Sequence, residues 1–243
     1  IDGGYIITGQ ISSSGIGSSD VLLLKTDQQG QEEWSQTFGG SDYDTGNSIE
    51  QTYDGGYIIT GSTRSYGNGS DDILLIKTNS QGQEEWSQTF GGGYIDIGNS
   101  IKQTSDNGYI ITGYTQSYGN GSRDVWLIKT NSQGNEEWNQ TFGGSYVDIG
   151  NSIQQTIDGG YIITGSRGTD YYSDLWLIKT DYQGNEEWNQ TFGGNDYDFG
   201  NSVQQTTDNG YIIIGHTKSY GNGGYDIFLI KTDSGGNTEP YRN

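Results

Sequence analysis

Two apolar runs recur along the chain, each bounded by glycine or polar turn residues. One is Tyr57–Ile59 within "GYIITG" (56–61), and the other is Ile73–Ile76 within "DILLIKT" (72–78). Successive side chains of an extended strand point to opposite faces. Tyr57 and Ile59 then face one way and Ile58 the other, while Leu74 and Ile76 oppose Ile73 and Leu75. Strands that are apolar on both faces belong to sheets covered on both sides. The more polar segments "NSIEQT" (47–52) and "EEWSQTF" (84–90) predict two further strands. "DGG" or "DNG" joins the first strand to the second, a strong hairpin signal because Gly and Asn accept positive φ. A Gly-containing turn such as "NSQG" (79–82) joins the third to the fourth.

The pattern is periodic. The tyrosine of "GYI" stands at Tyr5, Tyr57, Tyr109, Tyr161 and Tyr211, at intervals of 52, 52, 52 and 50 residues. The units run approximately over 1–46, 47–98, 99–150, 151–200 and 201–243. A sheet of four short strands cannot bury two apolar faces alone and needs a neighbour on each side. Four-stranded sheets repeated radially make a β-propeller. The reading is a single all-β domain over 1–243, a β-propeller of five blades with four antiparallel strands each. A β-helix is the rival, with shorter coils and no regular hairpins. The first unit lacks its first strand, and the last strand of the fifth fades into "NTEPYRN". Strand order then puts the long loops after the second strand and the crossovers between units at one common end.

The segment "QEEWSQTFGG" occurs at 31–40 and 83–92, and "NEEWNQTFGG" at 135–144 and 185–194. Each places a tryptophan (Trp34, Trp86, Trp138, Trp188) just after a turn that carries a glycine such as Gly184; Pro240 takes that position in the fifth unit. This arrangement resembles the tryptophan-docking repeat of quinoprotein-type propellers. With "GGYIITG" and "LIKTD", the chain also resembles the highly repetitive propellers of secreted and cell-surface proteins of archaea and bacteria. The resemblance implies a structural clamp for the four tryptophans and an extracellular or cell-surface location. Sugar stacking is the alternative role for them.

Composition agrees with strands: 42 Gly and 19 Tyr, one Pro, and no Ala, Met or Cys. The lack of Cys excludes disulfides, thiolate metal sites and Cys nucleophiles. A formal net charge of −20 disfavours nucleic acid and anionic membrane surfaces, and no stretch has the apolar length of a membrane span.

Two aspartates recur at the long-loop end. One precedes the first strand of a unit (Asp44, Asp96, Asp148, Asp198), and the other precedes the third (Asp20, Asp72, Asp124, Asp174, Asp226). Each either caps its loop by accepting backbone N–H groups or serves a ligand. "SYGNG" recurs at 65–69, 117–121 and 219–223, and "GTDYYSD" replaces it in the fourth unit. The candidate ligand-binding residues are Tyr66, Tyr118 and Tyr220 with Asp72, Asp124 and Asp226. The pairs Asp42/Asp44 and Asp196/Asp198 would suit calcium, although no EF-hand spacing is present. No other cofactor is expected. Trp126, Trp176 and Phe228 read as core, and His216 as structural. Lys25, Lys77, Lys129, Lys179 and Lys231 are expected to pair with the "EE" carboxylates across a hairpin. Asn68 and Asn120 are glycan acceptors if the chain is secreted.

The expected function is a non-enzymatic extracellular binding or adhesion module, taking glycan or protein on its long-loop face, with no nucleic acid and no membrane insertion. A structural spacer is one alternative, and a quinoprotein-like or glycoside-acting enzyme is another. The enzyme ranks last because near-identical units leave no unique constellation of acid, base and nucleophile.

Overall fold

The computed structural model describes residues 3–12, 18–169 and 171–238. Among them are eighteen strands and no helix. The first sheet orders β1 (Tyr5–Ile11), β2 (Asp20–Thr26) and β3 (Glu32–Phe38). The second holds β4 (Asp44–Gln51), β5 (Tyr57–Thr63), β6 (Asp72–Thr78) and β7 (Glu84–Phe90) in sequence order. The third holds β8 (Asp96–Gln103), β9 (Tyr109–Thr115), β10 (Asp124–Thr130) and β11 (Glu136–Phe142). The fourth holds β12 (Asp148–Gln155), β13 (Tyr161–Gly168), β14 (Ser173–Thr180) and β15 (Glu186–Phe192). The fifth holds β16 (Asp198–Gln205), β17 (Tyr211–Thr217) and β18 (Asp226–Thr232).

Five uniform four-stranded blades are therefore not matched. Three sheets have four strands and two have three. The first sheet begins at the "GYI" strand, with no counterpart of β4. In the fifth, a single bridge between Thr232 and Thr238 stands where a fourth strand would start. Pro240 lies outside the described residues. The chain forms two compact units: Ile1–Ile111 with Thr115–Ser117 and Thr130–Glu137, and Thr112–Tyr114 with Tyr118–Lys129 and Trp138–Asn243.

Within the first unit, Ile59, Leu74 and Ile76 of the second sheet pack on Val21 and Leu23 of the first. Within the second, Ile162, Leu175 and Leu177 of the fourth sheet meet Val203, Tyr211, Ile213 and Ile230 of the fifth. Both faces of the inner strands are thus covered, as their unbroken apolar runs require. Each first strand carries a register shift beside a glycine, at Gly46/Ser48 in β4 and at Gly150/Ser152 in β12.

The tryptophans lie where consecutive sheets meet. The Trp34 ring sits 6.0 Å from the Tyr57 ring, and a Cβ on Gly82 would come within 2.5 Å of it. Gly82 also has φ +74, a conformation that only glycine adopts at little cost. The same contacts join Trp86 to Tyr109 and Gly134 in the first unit, and Trp138 to Tyr161 and Gly184 in the second. Trp188 repeats them with Tyr211 and Gly236.

Lys25, Lys77 and Lys179 pair with Glu33, Glu85 and Glu187 across their hairpins as expected, Lys77 and Lys179 reach a second acid as well, and Lys231 pairs with Asp208 and not with an "EE" carboxylate. Buried Lys77 donates to Glu85 Oε2 and Asp54 Oδ2, both at 2.9 Å, and Lys179 does the same with Glu187 and Asp158. Burial alone would raise Asp54. Hydrogen bonds from Thr52, Lys77 and Gly56 outweigh it and hold the carboxyl down at about 2.

Candidate functional site

Wherever one sheet hands the chain to the next, two aspartates from consecutive sheets meet over one glycine. In the first unit a Cβ on Gly39 would lie 2.3 Å from Asp20 Oδ1 and 2.6 Å from Asp44 Oδ2. At Gly91 the distances are 1.8 Å to Asp72 Oδ1 and 2.9 Å to Asp96 Oδ2. The second unit repeats the device twice. Gly143 lies under Asp124 Oδ1 (2.1 Å) and Asp148 Oδ2 (2.6 Å), and Gly193 under Asp174 Oδ1 (2.1 Å) and Asp198 Oδ2 (2.5 Å). Only glycine leaves room for both carboxylates.

Burial raises Asp72, Asp124 and Asp174 above the ordinary carboxylate value, and in each the charge of its partner (Asp96, Asp148 or Asp198) adds to the rise. Asp72 Oδ1 and Asp174 Oδ1 are buried without a hydrogen-bond partner, as are Asp44 Oδ1 and Asp198 Oδ1. Two carboxyl groups in such a place hold a proton in common more cheaply than two charges.

Three of the junctions follow one plan for their second aspartate. Ser65 Oγ donates to Asp44 Oδ2 at 2.7 Å, Ser117 Oγ to Asp96 Oδ2 at 2.6 Å, and Ser219 Oγ to Asp198 Oδ2 at 2.6 Å. Asp96 also accepts from the Thr115 hydroxyl. The neighbouring tyrosine then closes over the glycine. Tyr66 OH donates to Gly39 O at 2.7 Å, and Tyr220 OH to Gly193 O at 2.6 Å. Of the candidate stacking residues, Tyr118 packs on Trp126 (5.2 Å) and Tyr220 on Phe228 (5.6 Å), while about half of each surface stays exposed.

The Gly143 junction departs from this plan, because the fourth repeat has "GTDYYSD" in place of the Ser-Tyr loop. Here Asp148 accepts from the Gly168 main-chain N–H at 2.9 Å, and from Gly144 N at 2.8 Å just as Asp44, Asp96 and Asp198 accept from Gly40, Gly92 and Gly194 N. Burial raises Asp148 against those two bonds and against the charge of Arg167. The Arg167 guanidinium lies over the Trp176 ring at 5.0 Å. A Cβ on Gly144 would meet nothing within 4 Å, whereas one on Gly194 would meet the Ser219 side chain at 2.8 Å and Tyr220 OH at 3.7 Å. Tyr146, well exposed, packs against Gly168. Asp124 is held from one side only, accepting from Asn120 N at 2.8 Å.

The remaining sequence candidates fall elsewhere. Asp72 accepts from Asn68 N as Asp124 does from Asn120 N. Asp226 is exposed, accepts from Asn222 N at 3.2 Å, and meets no second aspartate in the pattern above. Asp42 and Asp196 each cap a turn through Oδ1, to Tyr43 N and Tyr197 N, while Asp44 and Asp198 are buried at their junctions. No group of three or more His, Cys, Asp or Glu gathers among the described residues. Trp126 and Trp176 are core, and each indole N–H reaches the side chain of Asn139 or Asn189. His216 contacts Phe199 at 4.8 Å and Tyr225 at 4.9 Å, with the Lys218 amine over Tyr225. That exposed aromatic cluster was not foreseen from the sequence, although Phe199, His216 and Tyr225 each break the repeat consensus.

No protein-family model matches the chain, and no curated protein matches its sequence. Solved structures do match. A protein from Bifidobacterium bifidum s17 assigned as an exo-β-1,3-galactanase is 13% identical, over 100% of this chain and 89% of its own, with a TM-score of 0.51. An endo-arabinase from Bacteroides thetaiotaomicron VPI-5482 is 11% identical over 97% and 95%, with a TM-score of 0.50. An endo-1,4-β-xylanase from the same organism is 10% identical over 99% and 94%, also at 0.50. At such identities the likeness is one of fold: a β-propeller-like array of antiparallel sheets.

This finding corrects the expectation of a non-enzymatic binding or adhesion module. The fold this chain shares over its full length is one that glycoside-acting enzymes carry. The argument against an enzyme assumed that near-copies of one unit make near-copies of every site. The Gly143 junction does not obey it, since one divergent loop leaves one carboxylate pair in surroundings of its own.

Proposed function

We propose that the chain acts on glycosidic bonds, as a propeller whose five sheets are blades of the highly repetitive kind, with Asp124 and Asp148 as its reacting pair. The observation that carries this reading is the Gly143 junction: two raised carboxyls from consecutive sheets, the second held by a main-chain N–H in place of a serine hydroxyl, with open space at the Cβ position of Gly144. Glycoside chemistry needs two carboxyl groups of unlike protonation on one bond. Asp124, buried and facing the Asp148 charge, holds the proton and donates it to the leaving oxygen. Two main-chain N–H groups and the Arg167 charge favour the Asp148 anion against the burial that raises it, and that carboxylate stabilises positive charge developing on the sugar ring. Tyr146 offers an exposed aromatic face to a sugar beside the pair.

The test is turnover of chromogenic galactosides, arabinosides and xylosides. Asp124→Asn and Asp148→Asn should each lower the rate by about 10²–10⁴ with the fold intact, the usual worth of a positioned proton donor or its partner. Activity should follow a bell in pH. It fails at high pH as Asp124 loses its proton, and at low pH as Asp148 gains one. No turnover on any glycoside, or full turnover in both variants, would refute the assignment.

A further inference from the structure

We infer that Arg123 and Arg167 select an anionic saccharide at the Gly143 junction, taking a carboxylate or sulfate group of the sugar on their guanidinium forks, an assignment that rests on the reading of Asp124 and Asp148 as the reacting pair. Both arginines depart from the repeat. In the ladder between the first two strands of a sheet, Asp44 faces Thr63 and Asp198 faces Thr217, whereas Asp148 faces Arg167. Ser19, Asp71 and Ser173 precede the equivalent aspartates of the other junctions, where Arg123 precedes Asp124. The chain has only eleven lysines and arginines, and two of them fall at the one junction whose loop also departs.

Each arginine is tied to the pair. Arg123 O accepts from Asp148 N at 2.8 Å, and Arg123 forms a parallel bridge with Val147. Arg167, which is exposed, stands between Asp148 and Asp174 across its two ladders. Its charge acts on Asp148, whereas the charge that acts on Asp174 is that of Asp198. Each guanidinium also lies against a ring, Arg123 over Tyr114 at 4.5 Å and Arg167 over Trp176 at 5.0 Å. Such stacking fixes the plane of the fork and leaves its N–H donors at the edge. Among the described residues, no carboxylate lies within ion-pair distance of either guanidinium. Arg64 is different: it stacks over Tyr43 at 5.4 Å and already donates from Nε to Asp71 at 3.0 Å.

Charge decides the class of ligand. With the proton on Asp124, the Gly143 junction holds two cationic arginines and one anion, Asp148, so one anionic group on a sugar brings the set to neutrality. At the Gly91 junction Asp71 stands in the place of Arg123 and Thr115 in the place of Arg167, and the same sum is negative even with Arg64 counted. A planar fork matches the two oxygens of a carboxylate or sulfate, where a sugar hydroxyl offers only one. The formal charge of −20 repels such a group from the rest of the surface, so the arginines act at short range and the site discriminates by position.

Titration calorimetry on the full chain tests the assignment with three ligands: a galacturonate oligosaccharide, the matching neutral galactose oligosaccharide and a sulfated galactose oligosaccharide. The parent should bind a charged ligand about tenfold or more tighter than the neutral one, the worth of one charge-assisted hydrogen bond, and added NaCl should weaken only the charged ligand. Preference for galacturonate identifies the carboxylate, and preference for the sulfated sugar identifies the sulfate ester. Arg123→Gln and Arg167→Gln should each lower the charged-ligand affinity about tenfold and leave the neutral ligand unchanged, with the parent circular dichroism. Arg167→Lys should recover only part of the loss, since an ammonium keeps the charge without the fork. Arg64→Gln, on another sheet, should leave all three affinities as they are. Calorimetry reads binding apart from cleavage. A charged-sugar preference that both arginine changes erase supports the assignment even where no glycoside is cleaved, and only the catalytic reading then falls. Equal affinity for charged and neutral ligands, full preference in both arginine variants, or no binding of any of the three overturns it, even where Asp124→Asn abolishes cleavage.

Discussion

The Gly143 and Gly193 junctions belong to consecutive repeats and carry the same two aspartates, but only the second has a serine and a tyrosine hydroxyl bonded into it. At Gly193 the Ser219 hydroxyl ties down Asp198 and the Tyr220 hydroxyl bonds the glycine carbonyl. At Gly143 the second aspartate is held by main-chain N–H groups, Arg167 stands nearby, and the next glycine faces open space. A buried carboxyl pair sharing a proton is a staple between consecutive sheets. At Gly143 the pair is equally buried, but its second aspartate accepts from the Gly168 main-chain N–H where the other junctions use a serine hydroxyl. Repetition thus supplies the pair, and the change of one loop changes the groups that hold it.

The largest effect should separate the two junctions by activity. Asp174→Asn and Asp198→Asn change the pair at Gly193 and should leave glycoside turnover within a few fold of the parent. The same changes at Asp124 and Asp148 should cost about 10²–10⁴. Equal losses at both junctions would show that the pairs act as one class and that the two hydroxyls are irrelevant.

Stability should not separate them. Trp138 and Trp188 make the same contacts in consecutive repeats, with Tyr161 and Gly184 and with Tyr211 and Gly236. Truncating either to Ala should cost about 3 kcal/mol, the lower end for a large packed aromatic. Chemical denaturation would measure it, and a Trp138→Ala protein that unfolds like the parent would remove these rings from the structural account.

A smaller effect, common to all the pairs, should appear in the pH dependence of melting. Asp72, Asp124, Asp148 and Asp174 are raised in the folded state, so folding holds their protons more tightly than the unfolded chain does. Their contribution is complete below the unfolded value of 3.8 and is lost as pH rises through the folded values. Asp54 works the other way. Held at about 2, it stabilises above 3.8 and loses that contribution as pH falls towards 2. The melting temperature should therefore be higher near about pH 5 than near pH 8, and should fall again in stronger acid. Asp72→Asn, which mimics the protonated form, should flatten the first of these slopes. A parent whose melting temperature rises from pH 5 to 8 would contradict the assigned shifts.

The contrast also marks what the chain reveals in one dimension. Strand positions were legible because "GYII" and "ILLI" alternate about a strand axis and recur at a fixed interval. Both aspartate series were legible as recurrent loop residues, and both were placed at one end. That Asp72 meets Asp96, a residue of the next sheet, was not legible. The contact depends on how a crossover folds back over Gly91, and no local pattern records that. The Lys77–Asp54 pair was missed for a similar reason, since a turn "DGG" reads as hairpin chemistry before it reads as a counter-ion. The shortened first and fifth sheets were legible in the missing first strand of the first unit and the fading end of the fifth, while the uniform count of five four-stranded blades was not matched. The difference between one junction and its copies was visible as "GTDYYSD" against "SYGNG", but as a variant loop and not as a change in the groups that hold an aspartate.

The smallest expected effect sharpens the comparison most directly, because it removes one hydroxyl and nothing else. Tyr220→Phe keeps the ring on Phe228 and deletes the hydroxyl that bonds Gly193 O at 2.6 Å. The bond is solvent-exposed, so its loss should cost only about 0.5–1 kcal/mol, the low side of a net hydrogen bond. Its structural consequence should be local, a faster exchange of the amides around Gly193 and Gly194 with solvent deuterium. The Gly144 amide donates to Asp148 as the Gly194 amide does to Asp198, so a faster exchange around Gly143 and Gly144 in the parent would come from the lack of the tyrosine bond alone. If Tyr220→Phe leaves exchange at Gly193 unchanged, or if Gly143 is as protected as Gly193 in the parent, then the tyrosine is not what distinguishes the two junctions. The open space at Gly144 would then have to be explained by the course of the fourth repeat's own backbone.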